Sequence, residues 1–202
     1  DGGTTWTEIN TTPGQFAANI TKVQAVTAMT PYANTLVIGL RRGAQAAVYK
    51  LIGGAPTANA FLAMTGTAGT PCSTANTSEV SALTVYNGKL IMGTGNLQSG
   101  NAEVCMYDDR GFLDQNVALI TTWTRMNFAA GTLNRNGTTG INSIRALSVY
   151  NGKLYVGTEK LNSAEVYEYV DEGPTSAGSG LFNLVTSSAG TIVAGGTSGI
   201  DK

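Results

Sequence analysis

The hexapeptide Val-Tyr-Asn-Gly-Lys-Leu occurs twice in this chain of 202 residues, at 85–90 and at 149–154. Each copy lies in a longer match, because residues 80–94 and 144–158 agree at most positions when Ala82 is aligned with Ala146. A weaker copy covers residues 23–30 and 35–40. A repeat at this spacing indicates that the chain builds the same supersecondary unit several times, and it limits the fold to a repeat architecture.

The hexapeptide itself predicts a tight hairpin. Apolar residues alternate or run on either side of it, which is typical of strands. An Asn-Gly pair between two such strands favours a type I′ turn, in which both central residues need a positive φ. Asn87-Gly88 and Asn151-Gly152 are therefore predicted to be structural turns rather than catalytic or phosphate-binding loops.

Each copy continues with two more segments of strand pattern. The third strands are predicted at 47–51, 103–107 and 165–169, and the fourth strands at 60–64, 121–126 and 180–185. Another fourth strand is predicted at 4–9, where Thr-Thr-Trp-Thr repeats the residues at 121–124. Four antiparallel strands in a period near 60 predict an all-β fold of β-propeller blades. A β-sandwich or a stacked-sheet repeat is the alternative.

The repeat also predicts how the chain is divided. Residues 1–202 form a single repeat domain, with a fourth strand of a preceding blade and a linker at 1–21. The blades are then predicted at 22–79, 80–143 and 144–202, the last including a lead-in to a next blade. Because closed propellers have about four to eight blades, three blades need either a longer chain or several copies to complete a ring. The sequence favours the longer chain.

The first six residues, Asp-Gly-Gly-Thr-Thr-Trp, resemble the Asp-box of sialidases and other propellers. Asp1, Gly3, Thr5 and Trp6 match the motif, whose serine position would precede residue 1. The repeated units also resemble kelch-like blades as a pattern. The resemblance implies that these four residues form a structural turn away from any active site, with the tryptophan packed between blades. Trp123 keeps the strand part of the motif.

The residues that could perform catalysis are few. The chain has no histidine and two cysteines, which excludes histidine-based triads and an ordinary zinc site. No metal or cofactor is expected. A sialidase needs an arginine cluster, and only Arg145 lies on a predicted first strand. A glycosidase needs two carboxylates, for which the candidates are Glu103, Glu165, Asp108, Asp109 and Asp114. The two glutamates share one repeat position, so we expect solvated faces or pairing between blades.

Cys72 and Cys105 are predicted to form a disulfide that ties a linker to the following blade, which would place the protein in an oxidising compartment. Two free buried thiols are the alternative. The net charge of −1 gives no field that would attract nucleic acid. No run of 18 apolar residues is present, so membrane insertion is not expected.

The loops after the second strands differ in length and chemistry while the strands repeat, which is where binding surfaces usually lie. Ordinary solvated loops are the alternative. The predicted contact residues are Arg41, Arg42, Asn96, Gln98, Lys160 and Asn162. The sequence therefore predicts a non-enzymatic binding or structural module, extracellular or on the surface of a cell or particle, whose partner is a glycan, a protein or another copy. A fragment of an Asp-box glycoside hydrolase and an architectural assembly protein are the alternatives.

Overall fold

The computed structural model describes residues 12–16, 20–52, 61–96, 99–108, 122–170, 182–186 and 188–191. These residues contain twelve β-strands and no helix, so the predicted all-β class is confirmed. Within them there is no helical segment with the length and apolarity needed to cross a membrane. The strands are β1 (Ala25–Tyr32), β2 (Thr35–Arg41), β3 (Ala47–Leu51), β4 (Phe61–Ala63), β5 (Glu79–Tyr86), β6 (Lys89–Gly95), β7 (Val104–Asp108), β8 (Thr122–Arg125), β9 (Ser143–Tyr150), β10 (Lys153–Glu159), β11 (Val166–Tyr169) and β12 (Phe182–Leu184).

The strands form three antiparallel meanders of four strands each. We name them unit A (β1–β4), unit B (β5–β8) and unit C (β9–β12); within each unit, strands adjacent in sequence pair with one another. The strand bounds lie within two residues of the predicted ones. The period-2 pattern and the turn residues were thus sufficient to locate the strands.

The turns between the first two strands of each unit share one geometry. In unit B the central residues are Asn87 (φ 48°) and Gly88 (φ 74°). In unit C they are Asn151 (φ 48°) and Gly152 (φ 73°). Unit A reaches the same conformation with Ala33 (φ 48°) and Asn34 (φ 60°) and no glycine. The positive φ values that the Asn-Gly pairs predict are therefore present, and unit A adopts them against the preference of an alanine.

Successive units meet mainly through their faces. Between strands of neighbouring units the backbone ladder is a single residue pair, Arg41 with Glu79 and Gly95 with Ser143. The faces pack at glycines, because a Cβ on Gly39 would lie 2.6 Å from Cγ1 of Val80. One such contact lies between units A and B and another between units B and C. We call these two interfaces junction A/B and junction B/C.

The same contacts recur at junction B/C. A Cβ on Gly93 would lie 2.6 Å from Cγ2 of Ile144, the residue equivalent to Val80. The hydroxyl of Ser81 donates to the carbonyl oxygen of Ile144 at 2.6 Å, as Thr27 donates to that of Val80 at 2.5 Å. Each junction is therefore built from a β-branched side chain, a glycine and a hydroxyl group at equivalent positions.

The hydrophobic core lies at these junctions. One cluster joins residues of units A and B, among them Val37, Val48 and Met92, and another joins units B and C. A third cluster lies on the other face of unit A, where Ile20 and the half-buried Phe16 pack against Phe61. Burial of apolar side chains between the units is what holds successive units together.

Candidate binding site

A cavity of about 550 Å³ lies beside junction A/B. It is lined by Gln24, Arg41, Gly43, Ala44, Asn76, Ser78 and Asn96. These residues come from the lead-in to β1, the end of β2 and its loop, the lead-in to β5, and the loop after β6. Its volume falls within the range of about 300–1,000 Å³ that is typical of small-molecule sites.

Hydrogen bonds of the repeat fix the cavity walls. The amide of Arg42 donates to the carbonyl oxygen of Ser78 at 3.3 Å, and the amide of Gly43 donates to Oε1 of Gln24 at 3.1 Å. Nδ2 of Asn96 donates to the carbonyl oxygen of Asn76 at 3.0 Å. The loop of one unit is thus tied to the lead-in of the next, which presents the polar side chains in a fixed arrangement.

Alternating charges run from the cavity along β2, β5, β9 and β10, the strands nearest the junctions between units. Nη1 of Arg41 lies 3.9 Å from Oε2 of Glu79, and Nη1 of Arg145 donates to Oε1 of Glu79 at 2.8 Å. Nε of Arg145 also donates to Glu159. Two arginines and two glutamates compensate one another within this row.

Glu79 is the most deeply buried member of this row, with 1% of its side chain exposed, whereas Arg41 is 42% exposed. Oε2 of Glu79 accepts no hydrogen bond from the described residues. The guanidinium of Arg41 therefore directs N–H donors towards the solvent, while the buried carboxylate of Glu79 compensates its charge. Sequence reasoning singled out Arg145 on a predicted first strand but missed Glu79; its signal was the polar residue that begins the first strands of units B and C, Glu79 and Ser143.

The structure brings together two of the six predicted contact residues. Arg41 and Asn96 line the cavity. Arg42 lies beside it and donates from Nε to the carbonyl oxygen of Thr21 at 2.6 Å. Lys160 and Asn162 lie on the loop after β10, in unit C, and Gln98 lies outside the described residues. Gln24, Asn76 and Ser78 were missed, because their contribution depends on how the lead-ins fold back onto the loops.

The expectation of solvated faces for Glu103 and Glu165 is wrong. Both are buried, at 0% and 4% exposure. Glu103 accepts hydrogen bonds from the amides of Ser73 and Thr74 at 3.2 and 3.0 Å. Glu165 accepts one from Oγ1 of Thr138 at 2.9 Å. Each carboxylate thus binds the linker that precedes its own unit, which agrees with the alternative of pairing between repeats.

The environment of Glu165 includes a tyrosine. The hydroxyl of Tyr167 donates to Oε2 of Glu165 at 2.6 Å. Burial raises the pKa of Tyr167 well above its ordinary value, and the hydrogen bond to Glu165 raises it further. The hydroxyl of Tyr167 therefore keeps its proton near neutral pH and serves as a buried donor to Glu165.

Cys72 and Cys105 are bonded, with their Cα atoms 6.3 Å apart, as the sequence predicted. The carboxylate of Glu103 lies with the two sulfurs within 4.8 Å. Because both sulfurs are in a disulfide, this group offers no thiolate to a metal. Nη1 of Arg125 lies 3.5 Å from Oε1 of Glu103 and balances its charge.

A second repeated signal was missed in the sequence. The tetrapeptides at 12–15, 67–70, 129–132 and 188–191 each form the same small turn, closed by a bridge between their first and last residues. Their glycines, Gly14, Gly69, Gly131 and Gly190, all have φ between 70° and 84°. Ala-Gly-Thr in three of the four copies was the available signal.

The residues of the Asp-box resemblance, Asp1, Gly3, Thr5 and Trp6, lie outside the described residues, as do the predicted strand at 4–9 and Asp109 and Asp114. Trp123 is described. Its Nε1 donates to the carbonyl oxygen of Met64 at 2.8 Å, and its ring lies 5.1 Å from that of Tyr107. It therefore packs between units A and B.

Comparison of the chain with family models, curated proteins and solved structures finds no match. The function must therefore be argued from the chain's own residues. The arrangement that carries such an argument is the cavity at junction A/B.

Proposed function

We propose that the three units are blades of a β-propeller and that the protein is a non-enzymatic glycan-binding module. The ligand is a neutral oligosaccharide held in the cavity at junction A/B. The observation that supports this most directly is the lining, where one guanidinium stands among amide and hydroxyl side chains and no carboxylate is present.

A saccharide presents many hydroxyl groups, each of which donates and accepts hydrogen bonds. The amides of Gln24, Asn76 and Asn96 offer both functions, and Arg41 adds donors only. The charge of Arg41 is compensated by Glu79, which favours a neutral ligand over a strongly anionic one. A cavity of about 550 Å³ is large enough for a short oligosaccharide.

The positions of the carboxylates favour binding over hydrolysis. A glycosidase places two carboxyl groups across the scissile bond. The described glutamates are all engaged in other contacts: Glu79, Glu103, Glu159, Glu165 and Glu168 each pair with a cation or accept hydrogen bonds from the chain. Arg41 is the only arginine on the cavity lining, whereas a sialidase needs a cluster.

The blade arrangement is supported by the repeat itself. Four-stranded meanders that meet face to face through the same contacts are the building pattern of propellers. The Cys72–Cys105 bond supports a working place in an oxidising compartment, such as the outside of a cell or the surface of a particle.

The test is a screen of immobilised neutral and acidic oligosaccharides, followed by calorimetric titration of the best ligand. Arg41→Ala and Asn96→Ala are each expected to weaken binding at least about tenfold, since each removes hydrogen bonds worth about 1.4 kcal/mol or more in a partly buried site. Gln45→Ala is the matched control, because Gln45 is an exposed amide in the same loop that does not line the cavity.

Unchanged affinity in Arg41→Ala and Asn96→Ala would place the ligand elsewhere. Release of free sugar during the titration would show that the protein is a hydrolase and not a non-enzymatic binding module. A preference for sialylated over neutral ligands would contradict the proposed ligand class.

A further inference from the structure

Unit C has a glycine, Gly157, against which no described side chain of another unit packs. Gly39 and Gly93 must be glycine, because Val80 and Ile144 of the next unit lie where a Cβ would be. At the equivalent Gly157, the nearest atom to such a Cβ is the Cβ of Ala146 on the partner strand, at 3.3 Å. Among the described residues, the slot that receives a β-branched side chain at both junctions is therefore unfilled on unit C.

A tyrosine on the same face shows the same mismatch. Tyr32 crosses junction A/B and packs edge-on against Tyr107, with centroids 6.3 Å apart, and Tyr86 packs in the same way against Tyr169 at 6.0 Å. Tyr150 is the equivalent residue of unit C and is 66% exposed. The face of unit C thus presents the features of both junctions without a described partner.

The opposite end of the molecule carries the complementary features. Val26 occupies the position of Val80 and Ile144, since each pairs with the residue that follows the glycine of the second strand, and it is 41% exposed. Met29 is 65% exposed and Ile52 is 56% exposed on the same unit.

We propose that the open face of unit C binds unit A of a second copy, with Val26 of one copy seated over Gly157 of the other. The geometry proposed for this contact is that of junctions A/B and B/C, which the chain already forms within one copy. Because the two surfaces differ, the contact is heterologous, and two copies that make it reciprocally form a closed dimer that contains six of the described units.

One contact of junctions A/B and B/C is missing in the junction between copies. Arg145 stands where Thr27 and Ser81 donate to the next unit, and its guanidinium is paired with Glu79 and Glu159. The junction between copies therefore lacks one hydrogen bond, and we expect it to dissociate on dilution. The proposal does not depend on glycan binding, and it is tested without a ligand.

The test is complementation between two damaged copies. Val26→Asp removes the inserted side chain but leaves the slot, and Gly157→Val fills the slot but leaves Val26. Each variant alone lacks one half of every contact and is expected to be monomeric. An equimolar mixture can make one sound contact, between the slot of the first variant and Val26 of the second, and is expected to give a dimer.

Light scattering coupled to gel filtration provides the measurement. The unmodified chain is expected at twice 20.8 kDa at high micromolar concentration. Tyr150→Glu serves as a second variant on the slot side, and tryptophan fluorescence verifies that each variant is folded. A monomeric unmodified chain, a dimer that persists in both single variants, or a mixture that stays monomeric would each overturn the proposal.

Discussion

Junctions A/B and B/C meet the same structural demand with different chemistry. Both have to attach a long linker to the third strand of the following unit. At junction A/B the attachment is covalent, between Cys72 and Cys105. At junction B/C the position of Cys105 is taken by Tyr167, whose hydroxyl bonds to Glu165, which in turn holds Thr138 of the linker. A repeat can therefore vary the interaction at one position while it keeps the contact that the position provides.

The largest effect is expected from breaking the covalent attachment. In Cys72→Ala/Cys105→Ala the free energy of unfolding should fall by roughly 3–4 kcal/mol, because the unfolded chain regains the freedom that a closed loop of about 34 residues removes. Urea denaturation followed by tryptophan fluorescence measures this. Reductant should destabilise the unmodified protein to a similar degree and leave the double variant unchanged; an equal response of both would mean that the bond is not what holds this junction.

A smaller loss is expected at the other junction. Tyr167→Phe removes a buried donor to Glu165, and the free energy of unfolding should fall by about 1–2 kcal/mol near neutral pH. Urea denaturation of this variant beside the cysteine variant compares the two attachments directly. A loss as large as that of the disulfide would show that the polar network contributes as much as the covalent bond.

The same tyrosine gives junction B/C a dependence on alkaline pH. Burial and the hydrogen bond to Glu165 raise the pKa of Tyr167 above its ordinary 10.0. The folded protein then holds a proton that the unfolded chain releases, so this contribution is full below pH 10 and is lost as pH rises beyond it. Denaturation midpoints should fall more steeply above pH 10 in the unmodified protein than in Tyr167→Phe. Parallel curves would contradict this assignment.

The turns that position the junction tyrosines also differ. Tyr86 precedes Asn87-Gly88, whereas Tyr32 precedes Ala33-Asn34, which adopts positive φ without glycine. Replacing the pair by Asn-Gly, in Ala33→Asn/Asn34→Gly, should raise the free energy of unfolding by about 1 kcal/mol, since a left-handed alanine costs roughly 1–2 kcal/mol. The converse variant Gly88→Ala should be destabilised. No gain in the first variant would mean that the surrounding contacts already remove the strain.

The smallest effect is expected on the open face of unit C. Lys153 and Glu168 form an exposed ion pair at 2.6 Å. The hydrogen bond from Lys153 lowers the pKa of Glu168 below its ordinary 4.5, so the pair stabilises the fold above that pH and its contribution is lost as pH falls. Glu168→Gln should leave the urea midpoint unchanged near neutral pH, because exposed pairs contribute little. The measurement is made at a protein concentration low enough for the copies to be dissociated, and a clear shift there would mean that the pair contributes more than an exposed pair should.

The sequence determined the strands and their turns. Alternating apolar residues and Asn-Gly pairs act within a few residues, so their pattern is sufficient to place β5, β6, β9 and β10 and the left-handed turns between them. It also supported the pairing of Cys72 with Cys105, because a repeat aligns a linker with the third strand of the next unit.

The tertiary structure decided which polar groups meet. Glu79 and Arg145 lie 66 residues apart in sequence, and Glu103 becomes buried only because the linker at Ser73 and Thr74 folds over it. Arg41 and Asn96 share a cavity while Lys160 does not, although Asn96 and Lys160 occupy one repeat position. The physical reason is that strand patterning specifies which side of a sheet is apolar, whereas the burial and partners of a charged group depend on the packing of whole units.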